Sequence, residues 1–327
     1  MPSIAQTKAD ASKRWRRRSE QHDEPAARQM NEDAATDRLL SIVLILRDPA
    51  DSADGVLDAL RREPGAEEVE IVLVDGRPED GGGEYERVTH ISAPGLNMPQ
   101  LKALGAARAR GGYIAFLEPK GVPADGWGSA IRRALDDNGT AALTGPVLYG
   151  GTGGAFDRAA YLFEYGAFAA RSDAETAADL AGNNMALPAG PLQSLCGHTL
   201  RTHGLNKPFI QQELLAGGVS LRWVAGMAIR LQTKHQPGPF LKSRFQYGRC
   251  FGGVRCAEAS PVRAALYRTG TPLIPPLVLY RAVRRSVGTP LLDAGSFFWL
   301  MAICAVWAAG EIAGCWAGAG DSSNRLY

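Results

Sequence analysis

Gly112-Tyr113-Ile114-Ala115-Phe116-Leu117-Glu118-Pro119-Lys120-Gly121-Val122-Pro123 is an apolar run that turns polar within one residue. Tyr113 to Leu117 is short, almost wholly apolar and bounded by glycines, the pattern of a central strand covered on both faces. A glutamate, a proline and a lysine follow where such a strand ends. Ligands of open α/β sheets lie beyond the carboxyl ends of the strands, so Glu118 and Lys120 are the first candidates for chemistry.

Around this run, residues 39–148 alternate strand-like and helix-like pieces. Residues 42–46 read as an apolar strand. Residues 52–62 place Val56, Leu57 and Leu60 at helical spacing and close at Pro64-Gly65. A second strand over 69–74 ends at Asp75-Gly76, followed by a glycine loop at Gly81-Gly82-Gly83 and a short strand over 88–91. An alanine-rich helix over 101–110 leads into Tyr113, and 127–135 is helical after it. Such alternation predicts a mostly parallel sheet with right-handed crossovers. It gives a nucleotide-compatible α/β domain and, alone, no reaction. Further on, 157–170 reads as an aromatic-rich helix, 183–188 as a strand leading into a turn, and 221–231 as strand-like, ending near His235.

A chain of 327 residues can bury one good core and a smaller appendage. The formal charge of +2 is spread unevenly. From Arg222 to Arg285 there are twelve Lys or Arg against a single acid, Glu258. That asymmetry suits an anionic partner such as a diphosphate or a phospholipid surface, or else is a solvated basic face. The stretch carries no nucleic-acid module, which argues against nucleic acid. The five cysteines are odd in number and lack CxxC spacing, so reduced thiols are expected. Residues 1–38 hold a basic cluster, Lys13 to Arg18, with no apolar stretch behind it, and are expected to be a disordered polar tail rather than a signal peptide.

The last eighth is distinct. Residues 294–310 form a seventeen-residue run without charge, near the short limit for a membrane span of about 20 residues. Residues 272–283 are apolar but interrupted by three prolines and followed by Arg284-Arg285. The expected division is a tail over 1–38, a catalytic-type domain over 39–255, a basic and apolar interfacial segment over 256–290, a transmembrane or membrane-embedded helix over 291–317, and a polar tail over 318–327. A core helix packed on the sheet is the competing reading of 291–317.

In order and spacing, residues 40–250 resemble bacterial family 2 glycosyltransferases of the GT-A fold. Ser41-Ile42-Val43-Leu44-Ile45-Leu46 stands where these enzymes begin, with Arg47-Asp48 replacing their usual proline and asparagine. Val72-Leu73-Val74-Asp75-Gly76 is similar to the segment whose first aspartate contacts the nucleotide base. Asn97, Ala103, Ala106-Ala107-Arg108 and Gly112 resemble the helix before the central motif. Gly182-Asn183-Asn184-Met185-Ala186 resembles the acceptor-side strand, and His235 the histidine after the last strand.

What the resemblance implies is transfer of a sugar from a nucleotide-sugar donor to a lipid-linked, envelope or exopolysaccharide acceptor at the cytoplasmic face of the cell membrane. Asp75 would hold the base, Glu118 the ribose side, and Lys120 with Arg249 the diphosphate, Arg244 adding charge nearby. Asn183, Asn184 and His235 would face the acceptor. The family's DXD motif binds Mg²⁺ or Mn²⁺, but here it reads Glu118-Pro119-Lys120. Lysine disfavours a metal and supplies positive charge directly, so metal-independent or weakly metal-dependent transfer is expected. The family's ED motif is degenerate too, leaving Glu213 as the proton acceptor. These erosions keep open a catalytically inactive partner subunit of a glycan-assembly complex.

Overall fold

The computed structural model describes residues 40–78, 85–136, 140–151, 153–169 and 176–325. The expected tail over 1–38 and the loop at Gly81-Gly82-Gly83 lie outside the described residues. β1 (Leu40–Leu46), β2 (Glu70–Asp75), β3 (Val88–Ser92) and β4 (Tyr113–Leu117) are joined through α1 (Asp54–Arg61) and α2 (Met98–Arg108). Later come β5 (Gly121–Pro123), α3 (Trp127–Asp136), β6 (Ala141–Thr144), β7 (Val147–Tyr149), α4 (Ala155–Tyr165) and β8 (Asn184–Pro188). α5 (Ala189–His203), α6 (Lys207–Ala216), β9 (Ser220–Trp223) and β10 (Ile229–Leu231) complete the sheet region.

The main sheet has seven strands in the order β3-β2-β1-β4-β8-β6-β9. β1 pairs in parallel with both β2 and β4, and β8 is the antiparallel strand between β4 and β6. A smaller sheet, β5-β10-β7, stands beside it. The mostly parallel α/β architecture expected from the alternating pattern is therefore the one observed. Of the small sheet, β10 falls within the strand-like stretch read over 221–231, whereas β5 and β7 gave no sequence signal.

No residue of β1 is more than 2% exposed. Its alternate side chains feed two cores. Leu40, Ile42, Leu44 and Leu46 pack with α1, α3 and α4, whereas Val43 and Ile45 pack with Leu101 of α2, Leu192 of α5 and Ile210 of α6. Period-two alternation in a strand sends successive residues to opposite faces, so both faces of this strand are covered, as its unbroken apolar sequence requires.

The C-terminal third is helical: α7 (Pro237–Glu258), α8 (Pro261–Thr269), α9 (Ile274–Ser286) and α10 (Ala294–Ala317). The prolines at 275 and 276 do not interrupt α9. They occupy its first turn, where a missing N–H costs nothing. α10 is long and apolar enough to cross a membrane. Leu300, Ile303 and Cys304 nevertheless join the core under β1, and Glu311 is buried against Arg255 at 2.6 Å.

α7 and α10 meet backbone to backbone. A Cβ on Gly252 would stand 2.1 Å from the Glu311 carbonyl oxygen, and one on Gly310 would stand 2.2 Å from that of Phe245. Gly248 and Gly314 are equally closed off by Trp307 and Arg249. Both helices thus carry glycines four residues apart, the spacing that allows closest approach. Gly252→Ala should destabilise the protein by about 1–3 kcal/mol, the usual cost of overpacking a filled site. Gly190→Ala on α5, with nothing within 4 Å of the added carbon, should be neutral or slightly stabilising. Urea denaturation of the two variants checks the contrast.

Candidate functional site at the carboxyl edge of the sheet

The chain lays β1, β2 and β3 outward to one side and then places β4 on the other side of β1. The crevice beyond the carboxyl ends of β1 and β4 is therefore a topological switch point, the place where such sheets bind ligands. Asp75, Asp48, Glu118 and Lys120 all emerge there, and the structure gives each a charged partner.

Asp75 ends β2 and is 1% exposed. Arg77 grips both its oxygens, with Nε at 2.9 Å from Oδ1 and Nη2 at 2.6 Å from Oδ2. The Arg77 backbone N–H also donates to Oδ1. Burial alone would raise this carboxyl, but the Arg77 hydrogen bonds outweigh it and hold the pKa below the ordinary 3.8. His90 lies 3.6 Å from Oδ2, too long for a hydrogen bond.

Glu118 and Lys120 leave β4 in a tight turn closed by the Gly121 N–H donating to the Glu118 carbonyl at 2.9 Å. Lys102, from α2, donates to Glu118 Oε1 and to the Gly182 carbonyl, both at 2.8 Å. Lys102 is 7% exposed and was not foreseen. Its signal was the position next to core-facing Leu101, since a lysine carried inward by its helix needs a carboxylate partner. Lys120 reaches the other way, to Asp48 at 2.7 Å and Asp51 at 3.8 Å in the loop after β1. Burial works against its charge, but the Asp48 hydrogen bond and the surrounding acids hold the ammonium above 10.5.

These side chains do not suit a divalent cation. The Lys120 ammonium already sits between the loops after β1 and β4, and Glu118 is committed to Lys102. Among the described residues no three His, Cys, Asp or Glu converge as ligands.

The remaining candidates are placed differently. Asn184 is fully engaged inside the protein: its Oδ1 accepts from Trp127 Nε1 at 3.0 Å, and its Nδ2 donates to the Pro146 and Met227 carbonyls. Neighbouring Asn183 is buried with Oδ1 unpartnered. His235 rests on Phe240 with ring centroids 4.7 Å apart, and its backbone N–H donates to Asp157. Burial lowers its imidazole below 6.5 against the pull of Glu164 and Asp157. Arg249 is not brought to the β4 edge and instead donates to the Gly318 carbonyl at the end of α10. Arg244 is taken up by Glu164 and by the rings of Phe240 and Tyr247. Glu213 turns inward from α6, where Thr199 of α5 donates to it at 2.6 Å.

Beside Glu118 opens a cavity of about 560 Å³. Lys102, Glu118 and Gly182 form its polar end. Phe209 and Gln212 of α6, Phe251 and Val254 of α7, and Trp307 of α10 form much of the rest. α6 presents Lys207, Pro208, Phe209 and Gln212 to it, and not Glu213. Glu118 is the carboxylate in its lining.

No protein-family model matches the chain, and no curated protein sequence matches it. Solved structures do. The mannosyltransferase PcManGT from Pyrobaculum calidifontis, in complex with GDP-Man and Mn²⁺, superposes over 85% of this chain and 87% of its own, with a TM-score of 0.52 at 12% identity. GalNAc-T7 with UDP, GalNAc and Mn²⁺ covers 68% of this chain and 51% of its own at TM-score 0.48 and 12% identity. TarS 1-349 of S. aureus covers 77% and 72% at 0.45 and 10%. The likeness to the mannosyltransferase, together with the strand order, gives a GT-A-type fold.

Removal of the Asp75 charge should reveal a pH-dependent stability term. A folded pKa below 3.8 means stabilisation that is present above the unfolded value and lost as pH falls through the folded one. Asp75→Asn should therefore be clearly less stable than the parent at pH 7, and the gap should close in acid below pH ~4. Thermal melts across that range measure it.

Proposed function

We propose that the protein is a family 2 type glycosyltransferase that transfers a sugar from a nucleotide-sugar donor to a lipid-linked acceptor without a divalent metal, at the cytoplasmic face of a cell membrane. The observation that carries the reading is the pairing of a cation at the switch point with an apolar cavity beside it. The fold supports the class, and the mannosyltransferase that shares it holds GDP-Man.

In this reading the nucleotide lies across the ends of β1 and β2, with the Asp75–Arg77 pair on its base side. The diphosphate displaces Asp48 from Lys120. That exchange costs little, because a half-exposed ion pair such as Lys120–Asp48 is worth about 0–1 kcal/mol. The acceptor hydroxyl lies at the polar end of the cavity. Its oxygen attacks the anomeric carbon as its proton passes to Glu118, and the bond to the diphosphate oxygen breaks. Lys120 takes up the charge that develops on the leaving group. Glu118 replaces Glu213 in the base role because Glu118 lines the cavity while Glu213 faces α5. The cavity favours a lipid-linked acceptor over a fully polar glycan because aromatic and aliphatic side chains make up most of its wall.

The self-paired state of the edge, Asp75 with Arg77 and Lys120 with Asp48, is the observation that favours the second reading: a catalytically inactive partner in glycan assembly. Calorimetric titration with GDP, UDP and their sugars, with and without Mn²⁺, separates the two. The expected result is metal-independent binding, weakened about ten- to hundred-fold in Lys120→Ala, as befits loss of a hydrogen bond between charged groups. No binding under any condition selects the inactive subunit. Equal affinity in Lys120→Ala removes Lys120 from the donor site.

A further inference from the structure

Several arginines of the basic stretch are engaged by the protein itself. Arg244 is held by Glu164, Arg255 by Glu311, and Arg268 by the Cys315 carbonyl. The three of α9 are different. Arg281, Arg284 and Arg285 are all exposed, and among the described residues none has a carboxylate partner. They share one face with large apolar side chains that also point to solvent: Leu273 is 69% exposed, Tyr280 60% and Val287 68%. Leu273, Leu277, Tyr280 and Arg284 recur every three or four residues, so they form one stripe along the helix. Arginines and apolar groups together line an open cavity of about 590 Å³ between α9 and the turn at Gly166.

We infer that α9 docks in the plane of an anionic phospholipid surface, its leucine and tyrosine side chains entering the headgroup boundary and its three arginines binding lipid phosphates. The chemistry fits both halves of that partner. An apolar stripe exposed to water is unfavourable, and an acyl boundary relieves it. Three unpaired arginines complement phosphates, and guanidinium suits them by its forked donors. α9 has 13 residues, too few for a span of about 20, so it lies on the surface. α8, just before it, adds Val262 and Leu266, 71% and 63% exposed. On its other side α9 packs Ala282, Val278 and Val283 into the core shared with β1, which fixes this face to the sheet domain. The inference stands on exposed surface alone and does not require the donor site.

Flotation of the full chain with vesicles tests it, without any sugar or nucleotide. Binding is expected to phosphatidylglycerol-containing vesicles and to be much weaker to pure phosphatidylcholine. Each arginine near an anionic surface contributes about five-fold in affinity, so R281Q/R284Q/R285Q should lose about a hundred-fold. The charge-preserving R281K/R284K/R285K should retain most of the binding, and L277S/Y280S should weaken it at unchanged charge. Unaltered thermal melts show that the variants are folded. Equal binding to neutral and anionic vesicles, or undiminished binding by the glutamine variant, overturns the inference. So does a dimer in sedimentation velocity that the α9 variants dissolve, which would make the face a contact between copies.

Discussion

β1 is buried on both faces along its whole length, and that burial confines where chemistry can occur. A strand with no water-facing side chain offers polar groups only beyond its ends. The crossover that puts β2 on one side of β1 and β4 on the other then opens a crevice at the carboxyl end. Asp75, Asp48, Glu118 and Lys120 are drawn there from three separate segments. With opposite charges so close in a partly dry crevice, each side chain finds a partner: Asp75 takes Arg77, Glu118 takes Lys102, and Lys120 takes Asp48.

The strands were legible because burial on both faces leaves an unbroken apolar run, and β1, β2 and β4 each have one. Asp75, Glu118 and Lys120 were legible as strand-end polar residues. Their partners were less so. Lys102 pairs with a residue sixteen positions away, and only the register of α2 against β4 brings them together. Glu213 and Gln212 differ by one residue, about 100° around a helix, and a resemblance in motif order and spacing whose register is off by a few residues cannot resolve that angle. α7 was missed for a different reason. Gly248, Gly252 and Gly253 lower its intrinsic helix propensity, and the contact with α10 that makes those glycines necessary is long-range. α10 has both properties at once: the apolar length of a candidate span and a glycine-bearing face buried against α7.

The α7–α10 contact also ties distant parts of the surface to the crevice. Phe251 and Trp307, which help line the cavity beside Glu118, stand on these two helices. Both residues, with Arg255, also line a second cavity of about 500 Å³ that reaches Leu277 and Arg281 of α9. Thus adjoining walls lead from the sheet edge toward the exposed face of α9, apolar in the first cavity and mixed in the second, where Arg244–Glu164 and Arg255–Glu311 pairs stand beside Leu277 and Val278.

The ion pairs of the crevice differ in how easily they part, and the difference sorts the two lysines. Lys102 is 8% exposed at its side chain and shares its ammonium between Glu118 and a backbone carbonyl. Separating it would strand a buried charge at a cost of about 3–5 kcal/mol. It is a fixed strut that orients Glu118. Lys120 and Asp48 are about half exposed, at 49% and 55%, and water replaces either partner at little cost. Under the proposed function, a diphosphate would compete with Asp48 for Lys120 and would have no comparable purchase on Lys102. The ion pairs alone show one lysine held in place by burial and the other free to exchange its partner.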